Sequence, residues 1–341
     1  MNQKAIPYPG AETSAPPVVP LLQLTDLAVA FPDEDTGGEL RVVNGISLNL
    51  QKGKTLGLVG ESGCGKSLTG LALLGLVPKP GRVTSGTIMF DGIDLRQLAD
   101  SDMKTLRGNR IAMIFQEPAT ALNPVYTVGA QIAEAFRLHN EAGKAEARDW
   151  SIELLRRVGI TDAAQRFDAY PHQLSGGMRQ RCMIAMALIC RPDILIADEP
   201  TTALDTTIQA QILELILDIQ EEFGMAILFI SHNLATVSAV ADDILVMYAG
   251  RAAEQAPSAA LISAPAHPYT RGLLSTIPSR ARRGETLPSL AGSLGREDLL
   301  QSGCRFASRC RLASDACREA VPPLNAIGKD HRAACFEVGS P

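Results

Sequence analysis

Gly60-Glu61-Ser62-Gly63-Cys64-Gly65-Lys66-Ser67 follows the short apolar segment Thr55–Val59 and opens an apolar helical stretch over residues 67–76. The octet fits G-x-x-x-x-G-K-[ST]. Glycines at these spacings let successive backbone N–H groups turn inward around a phosphate anion, and the start of a helix adds a favourable dipole. Lys66 supplies a point charge for β- and γ-phosphates, and Ser67 a hydroxyl for Mg²⁺. A plain glycine-rich turn would not need a buried strand before it and a helix after it. The strand, loop, helix context therefore favours a nucleotide site, with residues 60–67 and the adjoining Leu68 as its binding residues.

Downstream, Ile194-Leu195-Ile196-Ala197 reads as a buried strand that ends in Asp198 and Glu199. Asp198 is placed to hold Mg²⁺, and Glu199, one residue on, to polarise an attacking water. Residues 226–230 read as another buried parallel strand. Between them Ile208, Ile212, Leu215, Ile216 and Ile219 recur at helical spacing. Upstream, alternating apolar residues from Leu21 and again at Ile46, Leu48 and Leu50 predict antiparallel strands. Residues 87–90, the Asp91-Gly92 turn and a strand over 111–115 follow, then a helical pattern from 128 to about 158. Residues 244–248 with Ala249-Gly250-Arg251 predict a closing hairpin. Strands alternating with helices indicate an α/β fold with a mostly parallel core sheet.

Composition narrows the class. The chain has 341 residues, 46% hydrophobic and 20% charged, enough for a large domain with an appendage and unlike a disordered chain. Its longest unbroken apolar run is residues 182–190, far short of the roughly 18 residues of a membrane span. The lead, with Pro7, Pro9, Pro16, Pro17 and Pro20, has no apolar secretory core and is expected to be loose over residues 1–20. Residues 280–341 are net +3 and residues 1–279 net −8. An acidic body without a basic stripe argues against nucleic acid as a partner.

With these residues in hand, Leu174-Ser175-Gly176-Gly177-Met178-Arg179-Gln180 carries a resemblance to the nucleotide-binding subunits of ATP-binding cassette (ABC) transporters, whose signature motif it is similar to. The resemblance implies a P-loop NTPase fold over residues 21–256, with a mostly parallel core sheet, an antiparallel β subdomain and a helical subdomain over roughly 120–180. It implies that Ser175, Gly176, Gly177 and Gln180 contact the ATP of a partner subunit in a head-to-tail dimer. By the same resemblance Gln116 is a Mg²⁺ and water contact beside Ser67 and Asp198, and Glu199 and His232 are catalytic. Asp205, in Ala203-Leu204-Asp205, communicates across the dimer, and Phe31 stacks on adenine. Departures are small: Asn233 follows the histidine where an acid is frequent, and Thr202 stands where serine is. Cys64 contributes backbone, and a thiol exposed there would be open to oxidation.

Ala266-His267-Pro268-Tyr269-Thr270-Arg271 resembles a segment of the oligopeptide/dipeptide/nickel branch of these importers. After it, Cys304, Cys310, Cys317 and Cys335 are spaced more widely than zinc pairs usually are. Four thiols without tight pairs suit an iron–sulfur cluster, zinc or unligated cysteines. The resemblance to the importer branch implies a [4Fe–4S] cluster in a small irregular Cys-rich C-terminal domain, within an extension over 257–341; His331 is expected beside the thiols or at the surface rather than as a ligand. Arg305, Arg309, Arg311, Arg318 and Arg332 either offset a cluster's charge or form a solvated basic face.

The resemblance as a whole implies an ATPase that uses ATP and Mg²⁺ to power peptide import. Its expected partners are a related but different second ATPase, two membrane permease subunits and, indirectly, an external binding protein, at the cytoplasmic face of the inner membrane. Nickel or another small solute is an alternative cargo. A soluble ABC ATPase and a redox-sensing regulator are rival readings.

Overall fold

In the computed structural model, residues 19–202, 205–277 and 292–338 are described, apart from the side chains of Pro118 and Ala119. Residues 1–18 of the expected loose lead over 1–20, Ala203-Leu204, and the breaks at Pro278 and Pro288 lie outside the described residues. Twelve strands occur among those described: β1 (Leu22–Pro32), β2 (Glu39–Leu50), β3 (Thr55–Val59), β4 (Arg82–Phe90), β5 (Ile93–Asp94), β6 (Ile111–Ile114), β7 (Ile194–Asp198), β8 (Ala226–Ser231), β9 (Asp243–Tyr248), β10 (Arg251–Pro257), β11 (Asn325–Gly328) and β12 (His331–Ala333).

They form two sheets. The smaller is antiparallel, in the order β2-β1-β4-β5; the larger has eight strands, in the order β11-β12-β10-β9-β3-β8-β7-β6. Strands β9, β3, β8, β7 and β6 run parallel. Every residue of β3, β6, β7 and β8 is buried, as expected where helices cover both faces of a parallel sheet. Gly57 in β3 allows the helix Leu234–Val240 to approach: a Cβ there would lie 2.1 Å from Val237 Cγ1. The helix Thr206–Phe223 starts at Asp205, whose Oδ1 accepts from Ile208 N at 2.9 Å, and ends at Gly224 with φ +62°. Its buried stripe is Ile212, Ile216 and Ile219.

The parallel arrangement decides where function sits. The carboxyl ends of β3, β8, β7 and β6 share one edge, so the phosphate loop, His232, Asp198-Glu199 and Gln116 emerge side by side although far apart in sequence.

Three local readings change. The helical stretch expected from 128 to 158 is two helices, Val128–His139 and Lys144–Arg157, separated where Asn140 turns extended. Strand β4 begins at Arg82, five residues before the expected start, because pairing with β1 organises a polar segment. The C-terminal extension is not wholly irregular: β12 pairs antiparallel with β10 and β11 with β12, continuing the main sheet.

Candidate active site

The phosphate loop turns on Gly63 and Gly65, at φ +82° and +101°, values that side chains rarely adopt. Gly60 is required for a different reason, since a Cβ there would lie 2.2 Å from the Met247 carbonyl oxygen of the neighbouring strand. Lys66 starts the helix Lys66–Leu73, and its Nζ donates to the carbonyls of Gly60 (2.8 Å) and Glu61 (2.9 Å). Cys64 is fully buried, so the oxidation open to an exposed thiol at this position does not apply. Burial pushes that thiol's pKa up despite Lys66 nearby, so it is held as an unreactive thiol.

Ser67 Oγ donates to Asp198 Oδ1 at 3.0 Å, joining the loop to the end of β7. Burial raises the Asp198 pKa, with the Ser67 hydrogen bond opposing. A hydroxyl and a carboxylate side by side are the hard oxygen donors that Mg²⁺ takes from a protein when phosphates and waters fill the remaining positions.

Glu199 follows immediately, at φ +47°, a left-handed conformation unusual for glutamate. Three side chains converge on its carboxylate. His232 Nδ1 lies 3.0 Å from Oε1, while Gln116 Nε2 and the Thr202 hydroxyl donate to Oε2 at 3.1 and 2.9 Å. Burial opposes ionisation, but the His232 and Thr202 hydrogen bonds and the charges of His232 and Lys66 outweigh it and lower the carboxyl pKa. The result is an ionised base held in one orientation beside the phosphate loop. With its amide nitrogen on Glu199, Gln116 keeps its oxygen for another partner.

Other residues singled out in the sequence lie outside this network. Ser175 caps the helix Gly176–Leu188, its Oγ accepting from Met178 N at 3.3 Å. Gln180 Nε2 donates to the Pro200 carbonyl at 2.6 Å, tying that helix to the segment after Glu199. Phe31, partly buried on β1, packs against Gly81, where a Cβ would come within 2.4 Å of its ring.

Sequence reading did not assign three contributors. Thr202 was noted only for differing from serine, yet its hydroxyl holds Glu199. Tyr269, fully buried in the extension, accepts a hydrogen bond on its hydroxyl from Glu61 N at 2.8 Å. Arg309 donates to Glu61 Oε2 at 2.8 Å. The extension therefore grips the phosphate loop directly, and Leu294 packs beside Gly63. Tyr248, Tyr269 and Phe306 form an aromatic cluster with centroids 4.8 to 5.4 Å apart, over which Arg309 lies. Spacing alone could not pair positions more than 200 residues apart.

Cys304, Cys310, Cys317 and Cys335 line one small, largely apolar cavity. Burial raises the pKa of Cys304 to about 11 and raises those of Cys310 and Cys335. Among the described residues no three His, Cys, Asp or Glu side chains are drawn together as tightly as a metal ion requires. His331 Nε2 lies 2.7 Å from the buried Glu254 carboxylate, which also accepts from the backbone of Ala266 and His267. Of the extension's arginines, Arg309 is engaged with Glu61 and Arg318 with Asp315.

Comparison with known proteins agrees with this geometry. Residues 43–202 match the ABC transporter family, and residues 253–317 match the oligopeptide/dipeptide transporter C-terminal region. A probable peptide ABC transporter ATP-binding protein of Sinorhizobium fredii is 49% identical over 93% of this chain and 94% of its own length. The dipeptide transport ATP-binding protein DppD of Escherichia coli is 47% identical over 92% of this chain and 96% of its own. Among solved structures, the dimeric ATP-binding cassette MJ0796 bound to ADP and Pi superimposes with a TM-score of 0.62 at 25% identity, covering 70% of this chain and 98% of that one.

Proposed function

This chain belongs to the ATP-binding proteins of ABC transporters, and from that premise we propose that it hydrolyses ATP to power import of dipeptides or oligopeptides through membrane permease subunits. The observation that carries the reading is the convergence of His232, Gln116 and Thr202 on Glu199, beside the Ser67–Asp198 pair and the phosphate loop.

In this reading the backbone of residues 60–67 and the Lys66 ammonium bind the phosphates of ATP, and Leu68 belongs to the same helix start. Phe31 stacks on adenine. Ser67, Asp198 and the Gln116 oxygen hold Mg²⁺, which neutralises phosphate charge when bound. Glu199 takes a proton from the attacking water, and His232 orients Glu199 and reaches the γ-phosphate. Hydrolysis needs a second cassette: Ser175, Gly176, Gly177 and Gln180 close over the partner's ATP, and Asp205 relays the closure. The dimeric cassette among the solved relatives supports this arrangement. We assign the partner as a related, different chain.

Exposed Phe115, Val125 and Tyr126 support docking of the permeases beside Gln116. No helix among the described residues is long and apolar enough to cross a membrane, so attachment of this chain through the permeases at the cytoplasmic face is the matching proposal.

For residues 257–341 we propose a [4Fe–4S] cluster held by Cys304, Cys310, Cys317 and Cys335, with zinc as the alternative. Support comes from the donor set: four thiols line one cavity, beside His267 and Glu337. When bound, such a cluster supplies a rigid crosslink and an electron site. Near four iron and four sulfide per chain in protein purified without oxygen, lost in Cys310→Ser, is the expected result. Zinc, or no metal, contradicts it.

The transport reading is tested by reconstituting the chain with its second ATPase and permeases in vesicles and following uptake of a labelled dipeptide delivered by the binding protein. ATP-dependent uptake that disappears in Lys66→Ala is expected. ATP hydrolysis without uptake of dipeptide or longer peptide would refute peptides as cargo while sparing the ATPase.

A further inference from the structure

A second cavity, of about 390 Å³, lies where strands β1 and β2 meet the C-terminal extension, and it is within the size range of small-molecule sites. It contains none of residues 60–67, Asp198, Glu199 or His232, so it is distinct from the ATP site. Three guanidinium groups line it, those of Arg251, Arg305 and Arg332. Arg305 is only 7% exposed; its Nη1 donates to the Ala249 carbonyl, and with the Asn44 amide assigned with its oxygen toward the arginines, its Nη2 donates to that oxygen at 3.1 Å. Arg251, half-buried, donates from Nη2 to the same oxygen at 2.9 Å. The Nε atoms of both are buried and have no hydrogen-bond partner.

Neither arginine pairs with a carboxylate among the described residues. Their surroundings are cationic instead: burial and then the charge of Arg251 lower the Arg305 pKa to about 10, and burial and then Arg41 lower that of Arg251. The exposed Arg332 also lines the cavity. The one carboxylate on its wall, Asp26, is exposed and accepts from Ser47 rather than from an arginine. Neighbouring cations whose partners are the neutral oxygens of Asn44 and Ala249, and whose Nε donors are unused, form an unfavourable arrangement by themselves. One oxyanion beside the two guanidiniums in the cavity would neutralise the repulsion, and guanidinium forks match carboxylate and phosphate in shape. Phe306 and Pro322 give the cavity an apolar wall for the rest of such a molecule.

We propose that this cavity binds a small organic oxyanion, a carboxylate or a phosphate ester, with its acid group beside Arg251 and Arg305. The site goes beyond the transport reading. Its Phe306 and Tyr248 walls belong to the aromatic cluster that contains Tyr269, and so a bound anion adjoins the side chains that grip the phosphate loop.

The test uses the full chain saturated with MgADP, so that the phosphate loop is occupied. Inorganic phosphate, glycerol 3-phosphate and succinate are titrated in low-chloride buffer by calorimetry and thermal shift. At least one should bind saturably and raise the melting temperature. Preference for glycerol 3-phosphate over succinate identifies the ligand as a phosphate ester, and the reverse as a carboxylate. Arg251→Met and Arg305→Met should each weaken that binding by about tenfold or more, the loss of a charge-assisted bidentate contact. Arg251→Lys, which keeps the charge but not the fork, should fall between. A cooperative melt of Arg305→Met without added anion reports that the variant is folded. No saturable binding of any probe, or equal binding by wild type and both Met variants, overturns the proposal. MgADP affinity in the variants stays at the wild-type value, so this site can fail without the ATPase reading failing.

Discussion

The edge of the parallel sheet and the C-terminal extension meet at the same phosphate loop but are built differently. At the sheet edge, Ser67, Gln116, Asp198, Glu199 and His232 come from strand ends and short motifs, and each contacts another member of the set. In the extension, Tyr269 reaches Glu61 from the short helix Pro268–Ser275 and Arg309 from the 3-10 turn Ala307–Arg309, with an aromatic cluster behind them. On the proposed reading, the sheet edge holds the groups that act on phosphates and water. The extension holds the loop that binds them. Damage to the first should stop turnover, and damage to the second should loosen nucleotide binding.

Changes in the extension and the loop sharpen that contrast, ranked by expected size. Phe306→Ala removes the centre of the aromatic cluster and should cost about 3–5 kcal/mol of local stability. Limited proteolysis should then cut the extension before the cassette; simultaneous loss of both would mean the two regions unfold as one unit. Lys66→Ala removes a charge-assisted contact worth about 1.5–3 kcal/mol and should weaken ATP affinity by roughly 10- to 150-fold in equilibrium binding. Arg309→Gln leaves the Glu61 carboxylate without its partner. A loss of about 1 kcal/mol, read as a roughly fivefold higher KM for ATP with kcat little changed, is expected. A collapse of kcat instead would place Arg309 in the chemistry. Tyr269→Phe removes one acceptor from Glu61 N and should raise KM by about threefold, the effect of a single hydrogen bond; a larger effect on kcat than on KM would break the division drawn here.

The contrast also explains what was legible in the sequence. The octet at 60–67, the buried strand ending at Asp198-Glu199 and the isoleucine stripe at 212, 216 and 219 are local signals, set by backbone and burial requirements within a few residues. The C-terminal strands β11 and β12, of four and three residues, are too short to show alternation and exist because β10 offers an edge to pair with. The polar start of β4 likewise depends on β1. The burial of Cys64 follows from strands and extension packing over the loop, and the bond between Tyr269 and Glu61 from the return of a segment 208 positions downstream. The His-Pro-Tyr segment was recognisable as a family mark, but its hydroxyl's partner was not. Thr202 was visible as a variation and gained meaning only when the turn after β7 brought its hydroxyl to Glu199.

The most direct test of this account is steady-state ATP hydrolysis by the assembled transporter carrying Glu199→Gln, with ATP binding measured on the same preparation. Turnover reduced by about 10²- to 10⁴-fold, the range for loss of a general base, with ATP still bound, is the predicted result. Hydrolysis near the wild-type rate would contradict it and remove Glu199 from the chemistry.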